Sequence, residues 1–151
     1  MGLACVLMLE DDAGIRLVMA EILREAGYEV VAVETVGQAL SLLEGQAGAA
    51  VRIMVVDLTL QDASGSAFLK AVRRMPRFQT VPAILATGAV RGEVRFPPPA
   101  SYQALLRKPY RPSALLELVG RLLAEGRADA PGGIVNAPRH PAAAHYPDRP
   151  S

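Results

Sequence analysis

Short apolar runs rich in β-branched residues recur along the first two thirds of the chain. Each run is nearly continuous rather than alternating with polar residues, which is typical of strands that are covered on both faces of a sheet. We therefore predict five strands, at residues 3–9, 28–33, 51–56, 81–86 and 102–107.

The segments between most of these strands repeat their apolar residues with helical spacing. We predict helices at residues 13–26, 35–44, 65–75 and 112–126. The first would turn a stripe of apolar side chains toward the sheet, namely Ile15, Val18, Met19, Ile22 and Leu23. Gly27 can cap the end of this helix. Thr35 followed three residues later by Gln38 resembles a capping box, which marks the start of the second helix.

Strands and helices alternate along the chain, and short connections with right-handed crossovers then imply a parallel sheet with helices on both faces. The alternation is weakest between the fourth and fifth strands. There the run Pro97, Pro98 and Pro99 removes backbone donors and excludes the interior of a helix. For residues 88–101 we expect at most one turn followed by polyproline-like coil, so that a fourth helix of the alternation is degenerate.

Composition adds one compact domain and a tail to this picture. With 151 residues, of which 51% are hydrophobic, the chain is long enough for one domain with a real core. Residues 127–151 are rich in Ala, Pro and Gly without periodicity, so we expect a domain at 1–126 and a disordered tail. The formal net charge of +1 attracts neither nucleic acid nor an anionic membrane. The unpaired Cys5 and the absence of a long apolar stretch favour a soluble cytoplasmic protein.

Polar side chains follow four of the five predicted strands. Glu10 and Asp11 come after the first strand, Asp57 after the third, Thr87 after the fourth and Lys108 after the fifth. Ligands of an open parallel sheet bind beyond the carboxyl ends of its strands. These five side chains should therefore meet at one edge of the sheet, although they lie far apart in sequence.

The chemistry available to such a cluster is phosphoryl transfer. Carboxylates from Glu10, Asp11 and Asp57 would repel one another at a poorly solvated edge unless a cation lay between them. Mg²⁺ takes oxygen ligands and commonly bridges carboxylates and a phosphate. Phosphoryl transfer needs chiefly an aligned oxygen nucleophile and neutralised charge, and Asp57 is the candidate nucleophile. Lys108 and Thr87 would offer a positive charge and a hydroxyl donor to the phosphoryl oxygens.

Four short motifs, in order, resemble the response-regulator receiver family of two-component signalling over residues 3–126. The motifs are Leu-Glu-Asp-Asp at 9–12, Val-Val-Asp-Leu-Thr-Leu at 55–60, Ala-Thr-Gly at 86–88 and Arg-Lys-Pro-Tyr at 107–110. The resemblance implies a doubly wound, flavodoxin-like (βα)5 fold of the α/β class with strand order 2-1-3-4-5. It implies that Asp57 is the phosphoacceptor, and that Thr87 and Lys108 contact the phosphoryl group. It also implies a Mg²⁺ site made by Glu10, Asp11, Asp57 and the main-chain carbonyl of Thr59.

The same resemblance implies partners. A sensor histidine kinase or a histidine phosphotransfer protein would donate the phosphoryl group, and an unknown downstream protein would bind differently afterwards. We expect no enzymatic activity beyond the self-catalysed gain and loss of phosphate on Asp57, and no nucleic-acid or membrane partner. The stretch after Gly126 is short and contains nothing like a helix-turn-helix, so we expect a single-domain regulator without a DNA-binding output domain.

Two departures from the family pattern leave other functions open. Gln61 stands where the family often has proline, and Leu105 stands where it usually has an aromatic residue that couples phosphorylation to the output surface. Together with a degenerate fourth helix, these departures are compatible with a receiver-like adaptor that binds its partner regardless of phosphorylation. A hydrolase resembling the haloacid dehalogenases is a third alternative, but that family needs an acid where this chain has Thr59.

Purely structural roles compete with these assignments. The acidic run at residues 10–12 could simply begin a helix, and Asp57 alone could be a turn residue. Four polar strand ends that converge on one edge favour a site over these interpretations. We interpret Arg16 as a solvent-facing helix residue, and the spacing of His140 and His145 is poorly suited to a metal.

Overall fold

Five parallel strands form one sheet within residues 4–60, 64–88 and 96–128, which are the residues that the computed structural model describes. The strands are β1 Cys5–Leu9, β2 Glu29–Val33, β3 Val51–Asp57, β4 Ala83–Thr87 and β5 Ala104–Arg107. Their order across the sheet is β2-β1-β3-β4-β5, and each neighbouring pair is parallel. The predicted α/β fold and its 2-1-3-4-5 strand order are confirmed.

Four α-helices flank the sheet in the described part of the chain. They are α1 Ala13–Glu25, α2 Val36–Glu44, α3 Gly65–Arg73 and α4 Pro112–Ala128. Side-chain oxygens of Asp12, Thr35 and Ser64 accept main-chain N–H groups at the starts of α1, α2 and α3. Gln38 bonds back to the Thr35 main chain, so the predicted capping box is present. None of these helices is long and apolar enough to cross a membrane.

Two helix ends differ from the prediction by two residues. α3 ends at Arg73 instead of Met75, because the residue before a proline avoids the helical region and Met75 is extended ahead of Pro76. α4 continues past Gly126 to Ala128. The remainder of the predicted tail, with His140 and His145, lies outside the described residues, and so does Gln61.

The sheet separates two apolar layers. One packs α2 and α3 against the sheet through side chains such as Leu43 and Phe68. The other packs α1 and α4 through side chains such as Leu23 and Leu115. Successive side chains of β1 point alternately into the two layers, as strand geometry requires. This burial on both faces explains why the strands are continuous apolar runs in the sequence.

The apolar stripe predicted for α1 was wrong at one position. Val18 is 50% exposed, and its neighbour Leu17 is 68% exposed, whereas Leu23 is fully buried. Apolar residues at three- and four-residue spacing cover a wide face of a helix, and only part of that face of α1 is buried. Leu17 and Val18 therefore form an exposed apolar pair in the second turn of α1.

The connection between β4 and β5 is only partly described, since residues 89–95 lie outside the described residues. Within residues 96–103, Pro98 is extended, with φ −56° and ψ 139°, and Pro99–Ser101 forms a 3-10 turn. At most one turn was predicted, and these residues agree with that. The predicted order of turn and coil also involves residues 89–95, and it stays a prediction.

Arg73 holds this connection against the end of α3. Its guanidinium donates to the main-chain carbonyls of Phe78, Val81 and Ser101. A planar group with five donors can join the α3–β4 and β4–β5 connections in this way. Burial lowers the pKa of Arg73 to about 10, which still leaves the side chain charged at neutral pH.

Candidate functional site

The carboxyl ends of β1, β3, β4 and β5 bring the predicted site residues together. Glu10 and Asp57 are buried at this edge, and each of Glu10, Asp11 and Asp57 offers an oxygen within 4.8 Å of the others. The register explains the convergence, because Leu9 pairs with Val56 and so aligns the ends of β1 and β3. The predicted acidic cluster is present.

Lys108 closes the cluster from the β5 side. Its Nζ lies 3.0 Å from Glu10 Oε1 and 3.2 Å from Asp57 Oδ2. Its main-chain N–H donates to the Thr87 carbonyl at 2.8 Å, which extends the β4–β5 pairing to this residue. The Lys108–Pro109 peptide bond is cis. The lysine thus bridges two carboxylates that come from different strands.

Asp57 has both carboxylate oxygens bonded. Oδ2 contacts Lys108, and Oδ1 accepts the main-chain N–H of Thr59 at 3.1 Å. The residue is 3% exposed. Burial raises the pKa of Asp57 to about 7, with the Glu10 carboxylate raising it and Lys108 opposing the rise. The positive charge of Lys108 therefore does not fully offset the cost of burying the ionised Asp57 carboxylate beside Glu10.

The charges at this edge favour a divalent cation. Burial lowers the pKa of Lys108, but the hydrogen bond to Glu10 and the charges of Asp57 and Glu10 outweigh it, and the net pKa lies above its ordinary value. Lys108 is thus an ammonium among three acidic side chains. When all are ionised, the cluster carries a formal charge of −2. Clustered carboxylate oxygens with this charge fit a hard divalent cation, which would also favour the ionised form of Asp57.

Comparison of the sequence with known proteins identifies the family of this chain. The sequence of residues 6–120 matches the response regulator receiver domain family. The chain belongs to this family. This receiver domain is 32% identical over 120 residues to the response regulator protein FleR of Pseudomonas aeruginosa, covering 78% of this chain and 24% of FleR. It is 30% identical over 115 residues to an uncharacterized 14.6 kDa protein of Leptolyngbya boryana, covering 76% and 86% of the two chains.

Solved structures agree with this family. The chemotaxis response regulator CheY4 of Vibrio cholerae superposes with a TM-score of 0.71 at 26% identity, covering 80% of this chain and 98% of that one. A CheY-like receiver domain protein of Methanospirillum hungatei gives a TM-score of 0.70, also at 26% identity, covering 84% and 98%. The receiver domain of this chain therefore has the fold of two-component response regulators.

Thr87 and Thr59 occupy the positions that the sequence predicts, at the end of β4 and just beyond β3. Thr87 is buried, at 1% exposure. Thr59 contacts Asp57 through its main-chain N–H, and Leu58 between them is held by the Ala86 carbonyl. The assignment of the Thr59 carbonyl as a metal ligand stays a prediction.

Three residues near the cluster refine the sequence interpretation. Asp12 caps α1, accepting the Ile15 N–H at 2.9 Å, so the helix-start interpretation holds for this acid. Arg16 was wrongly assigned to solvent: its guanidinium donates to the Glu10 carbonyl at 2.9 Å. Tyr110 packs in the α1 and α4 layer, and burial, together with the charges of Glu10 and Asp57, raises the pKa of its hydroxyl.

Leu105 of β5 departs from the family pattern. Leu105, at the position of the family's usual aromatic residue, is half-buried and packs against both apolar layers. Phe96 and Tyr102, on the connection before β5, pack against the layer of α2 and α3. An aliphatic side chain of β5 thus lies between the two layers at this position.

Gly65 lets α3 begin directly against Asp57. A Cβ at this position would overlap the Asp57 carbonyl oxygen and lie 2.9 Å from Leu58 Cα. We expect Gly65→Ala to lower the free energy of unfolding by about 2 kcal/mol, because backbone atoms rather than a flexible side chain must move. Urea unfolding followed by circular dichroism measures this change.

Gly126→Ala is the matched control, because no atom lies within 4 Å of a Cβ built at this helical position. We expect this variant to be as stable as the wild type or up to about 1 kcal/mol more stable, since alanine favours a helix over glycine. Equal unfolding curves for Gly65→Ala and Gly126→Ala would contradict the close approach of α3 to Asp57.

Proposed function

We propose that this receiver domain accepts a phosphoryl group on Asp57 and signals by binding a partner differently once it is phosphorylated. The observation that carries the proposal is the Asp57 carboxylate itself. It is buried at the sheet edge, held by the Thr59 N–H on one oxygen and by Lys108 on the other. The family supports the same role, since it is the receiver domain of response regulators.

The covalent step is a transfer between two nucleophiles. A carboxylate oxygen of Asp57 forms a bond to phosphorus, while the bond from phosphorus to the donor's nitrogen or oxygen breaks and the leaving group keeps that electron pair. The product is an acyl phosphate. Lys108 is placed to offer positive charge to the phosphoryl oxygens, since its Nζ lies 3.2 Å from Asp57 Oδ2. Thr87 is placed to offer a hydroxyl, since it ends β4, the strand that pairs with β3 and Asp57.

Mg²⁺ is the cofactor that we propose for the acidic cluster. Glu10, Asp11 and Asp57 would hold it through carboxylate oxygens, and the Thr59 carbonyl would complete the protein ligands. When bound, Mg²⁺ supplies positive charge to the phosphoryl oxygens and to the Asp57 carboxylate. The geometry of the three acids and the raised pKa of Asp57 support this assignment.

The phosphodonor that we propose is a sensor histidine kinase or a histidine phosphotransfer protein in the cytoplasm. The exposed pair Leu17 and Val18 lies on the helix that follows the acidic loop, and exposed apolar groups beside a reactive site suit contact with a protein donor. The chain's own catalysis would be limited to gaining and losing the phosphoryl group on Asp57. No nucleic-acid or membrane partner is part of the proposal.

Incubation with acetyl phosphate and Mg²⁺, followed by intact-mass measurement, tests the proposal. We expect the wild type to gain one phosphoryl group, and Asp57→Asn or EDTA-treated protein to gain none. Asp12→Asn is the matched control, because it makes the same chemical change at an acid that lies next to the cluster but caps α1, and asparagine caps a helix as well as aspartate does. It should be modified like the wild type, whereas modification of Asp57→Asn would place the acceptor elsewhere.

A phosphorylation-independent adaptor remains the second candidate, and the half-buried Leu105 favours it. The two functions differ in what happens near β5 after phosphorylation. Amide chemical shifts recorded with and without acetyl phosphate separate them. Changes that reach residues 102–107 support a phosphorylation-dependent output, and changes confined to the neighbourhood of Asp57 support the adaptor.

A further inference from the structure

Arg16 contacts two different strand ends beside the acidic cluster. Its guanidinium donates to the Glu10 main-chain carbonyl at 2.9 Å and lies 3.5 Å from Glu34 Oε1. The arginine side chain is 21% exposed, whereas that of Glu34 is 55% exposed. An ion pair as exposed as this contributes little by itself, so the bond to the Glu10 carbonyl is the contact that matters.

Every polar atom of Glu10 is bonded in this structure. Its N–H donates to the Val33 carbonyl at 3.0 Å, and its carbonyl accepts from Arg16. Its Oε2 accepts the Asp12 N–H at 3.1 Å, and its Oε1 contacts Lys108. The Glu10 carbonyl lies just beyond the end of β1, and Arg16 is what satisfies it there.

The far side of Arg16 is also held in place. The N–H of Glu34 donates to Gln38 Oε1 at 2.9 Å, within the capping box that begins α2. A continuous set of contacts therefore runs from the start of α2 through Glu34 and Arg16 to the main chain of Glu10. Fixing the main chain fixes the direction in which the Glu10 carboxylate points, because that side chain is buried among bonded neighbours.

We propose that Arg16 is a positioning residue for Mg²⁺ binding: it holds the main chain of Glu10 so that the Glu10 carboxylate faces Asp11 and Asp57. This inference rests on the proposed function of the site. Groups that orient metal ligands typically change metal affinity by about 10- to 100-fold when they are removed. For Arg16→Met we expect the Mg²⁺ dissociation constant to rise about 10-fold.

The sign of the change separates positioning from simple electrostatics. Removal of a positive charge beside a cation site should strengthen Mg²⁺ binding if Arg16 acts only through its charge. The loss of positioning should weaken Mg²⁺ binding instead. A lower or unchanged dissociation constant in Arg16→Met therefore overturns the inference.

Arg24→Met is the matched control on the same helix. Arg24 also donates to a main-chain carbonyl, that of Val30, at 3.0 Å, and it lies in the last turn of α1, away from the acidic loop. Its loss should leave the Mg²⁺ dissociation constant within about twofold of the wild type, because no ligand-orienting contact is removed. If the Mg²⁺ dissociation constant rose equally in Arg24→Met and Arg16→Met, the effect would come from a general destabilisation of α1. That result overturns the inference.

Calorimetric titration with MgCl₂ alone gives the dissociation constants, and acetyl phosphate labelling across a Mg²⁺ series gives a second readout. For Arg16→Met we expect half-maximal labelling to need about 10-fold more Mg²⁺, with the rate at saturating Mg²⁺ within about twofold of the wild type. A lower saturating rate with unchanged Mg²⁺ dependence contradicts the inference. If Arg16→Met fails to fold, Arg16→Lys replaces it in the test. Lysine keeps a positively charged donor on a shorter side chain, so the Mg²⁺ dissociation constant should shift in the same direction.

Failure of this inference and failure of the proposed function are distinguishable. If the wild type neither binds Mg²⁺ nor is labelled on Asp57, the proposed function is wrong. If the wild type does both and Arg16→Met matches it, only the role of Arg16 is wrong.

Discussion

Lys108→Met is expected to slow the labelling of Asp57 by acetyl phosphate by about 100-fold or more, because the role proposed for Lys108 is to present a preorganised positive charge to the phosphoryl oxygens. Methionine keeps much of the length of the side chain, so the change removes mainly the charge. Lys108 Nζ lies 3.2 Å from Asp57 Oδ2 and 3.0 Å from Glu10 Oε1, so the variant removes the positive charge that contacts both carboxylates.

The same variant should bind Mg²⁺ more tightly than the wild type, because the formal charge of the ionised cluster changes from −2 to −3. Slower labelling with stronger metal binding is the expected combination. It separates a role of Lys108 in transfer from a role in assembling the site, since a site that no longer assembled would lose both. Single-turnover labelling at saturating Mg²⁺, together with calorimetry, measures the two quantities.

Lys70→Met is the control for this experiment, since Lys70 is an exposed residue in the last turn of α3 and does not follow a strand. It should match the wild type in both measurements. A labelling rate for Lys108→Met within about threefold of the wild type would contradict the assigned role, because an electrostatic contribution of the expected size is far larger.

The stability of the metal-free protein is expected to fall as the pH rises from about 4 to about 7, through the titration of Asp57. The pKa of Asp57 is raised from 3.8 to about 7 in the folded protein. A group whose folded pKa is raised stabilises the fold fully below its unfolded pKa, and that stability is lost as the pH rises through the folded value. The loss is at most about 4 kcal/mol, at 1.36 kcal/mol per pKa unit.

Comparison with Asp57→Asn isolates this contribution from those of the other carboxylates. We expect the variant to gain stability over the wild type by a few kcal/mol between pH 5 and pH 8 in EDTA, because asparagine has no charge to bury. Urea unfolding at the two pH values measures the difference. Saturating Mg²⁺ should reduce it, since a bound cation stabilises the folded wild type. A difference that does not change with pH would contradict the raised pKa.

Strand assignments and the membership of the site could be predicted from the sequence because both depend on local patterns. Continuous apolar runs mark strands that are buried on two faces, and Glu10, Asp57 and Lys108 each follow such a run. Parallel strands align their carboxyl ends, so the site followed from the order of the elements. The structure brings these residues together as expected.

The roles of individual side chains around the site could not be predicted in this way. Arg16 lies on a polar position of α1, and nothing in its neighbours distinguishes a solvent-facing arginine from one that bonds the Glu10 carbonyl. Asp12 and Asp11 are adjacent acids, yet one caps a helix and the other joins the cluster. Helix rotation and the distance to the next strand decide these roles, and both depend on packing.

By itself, the sequence determined the fold class and the set of polar groups at the carboxyl edge, since periodicity and short connections are properties of the chain. The order of the strands came from the resemblance of four motifs to the receiver family. Only the tertiary structure decided which apolar side chains of α1 are buried, how Arg73 joins two connections of the chain, and how each polar atom of Glu10 is bonded. Those features depend on contacts between residues that are distant in sequence. Their energies are set by burial and geometry, which a one-dimensional pattern does not contain.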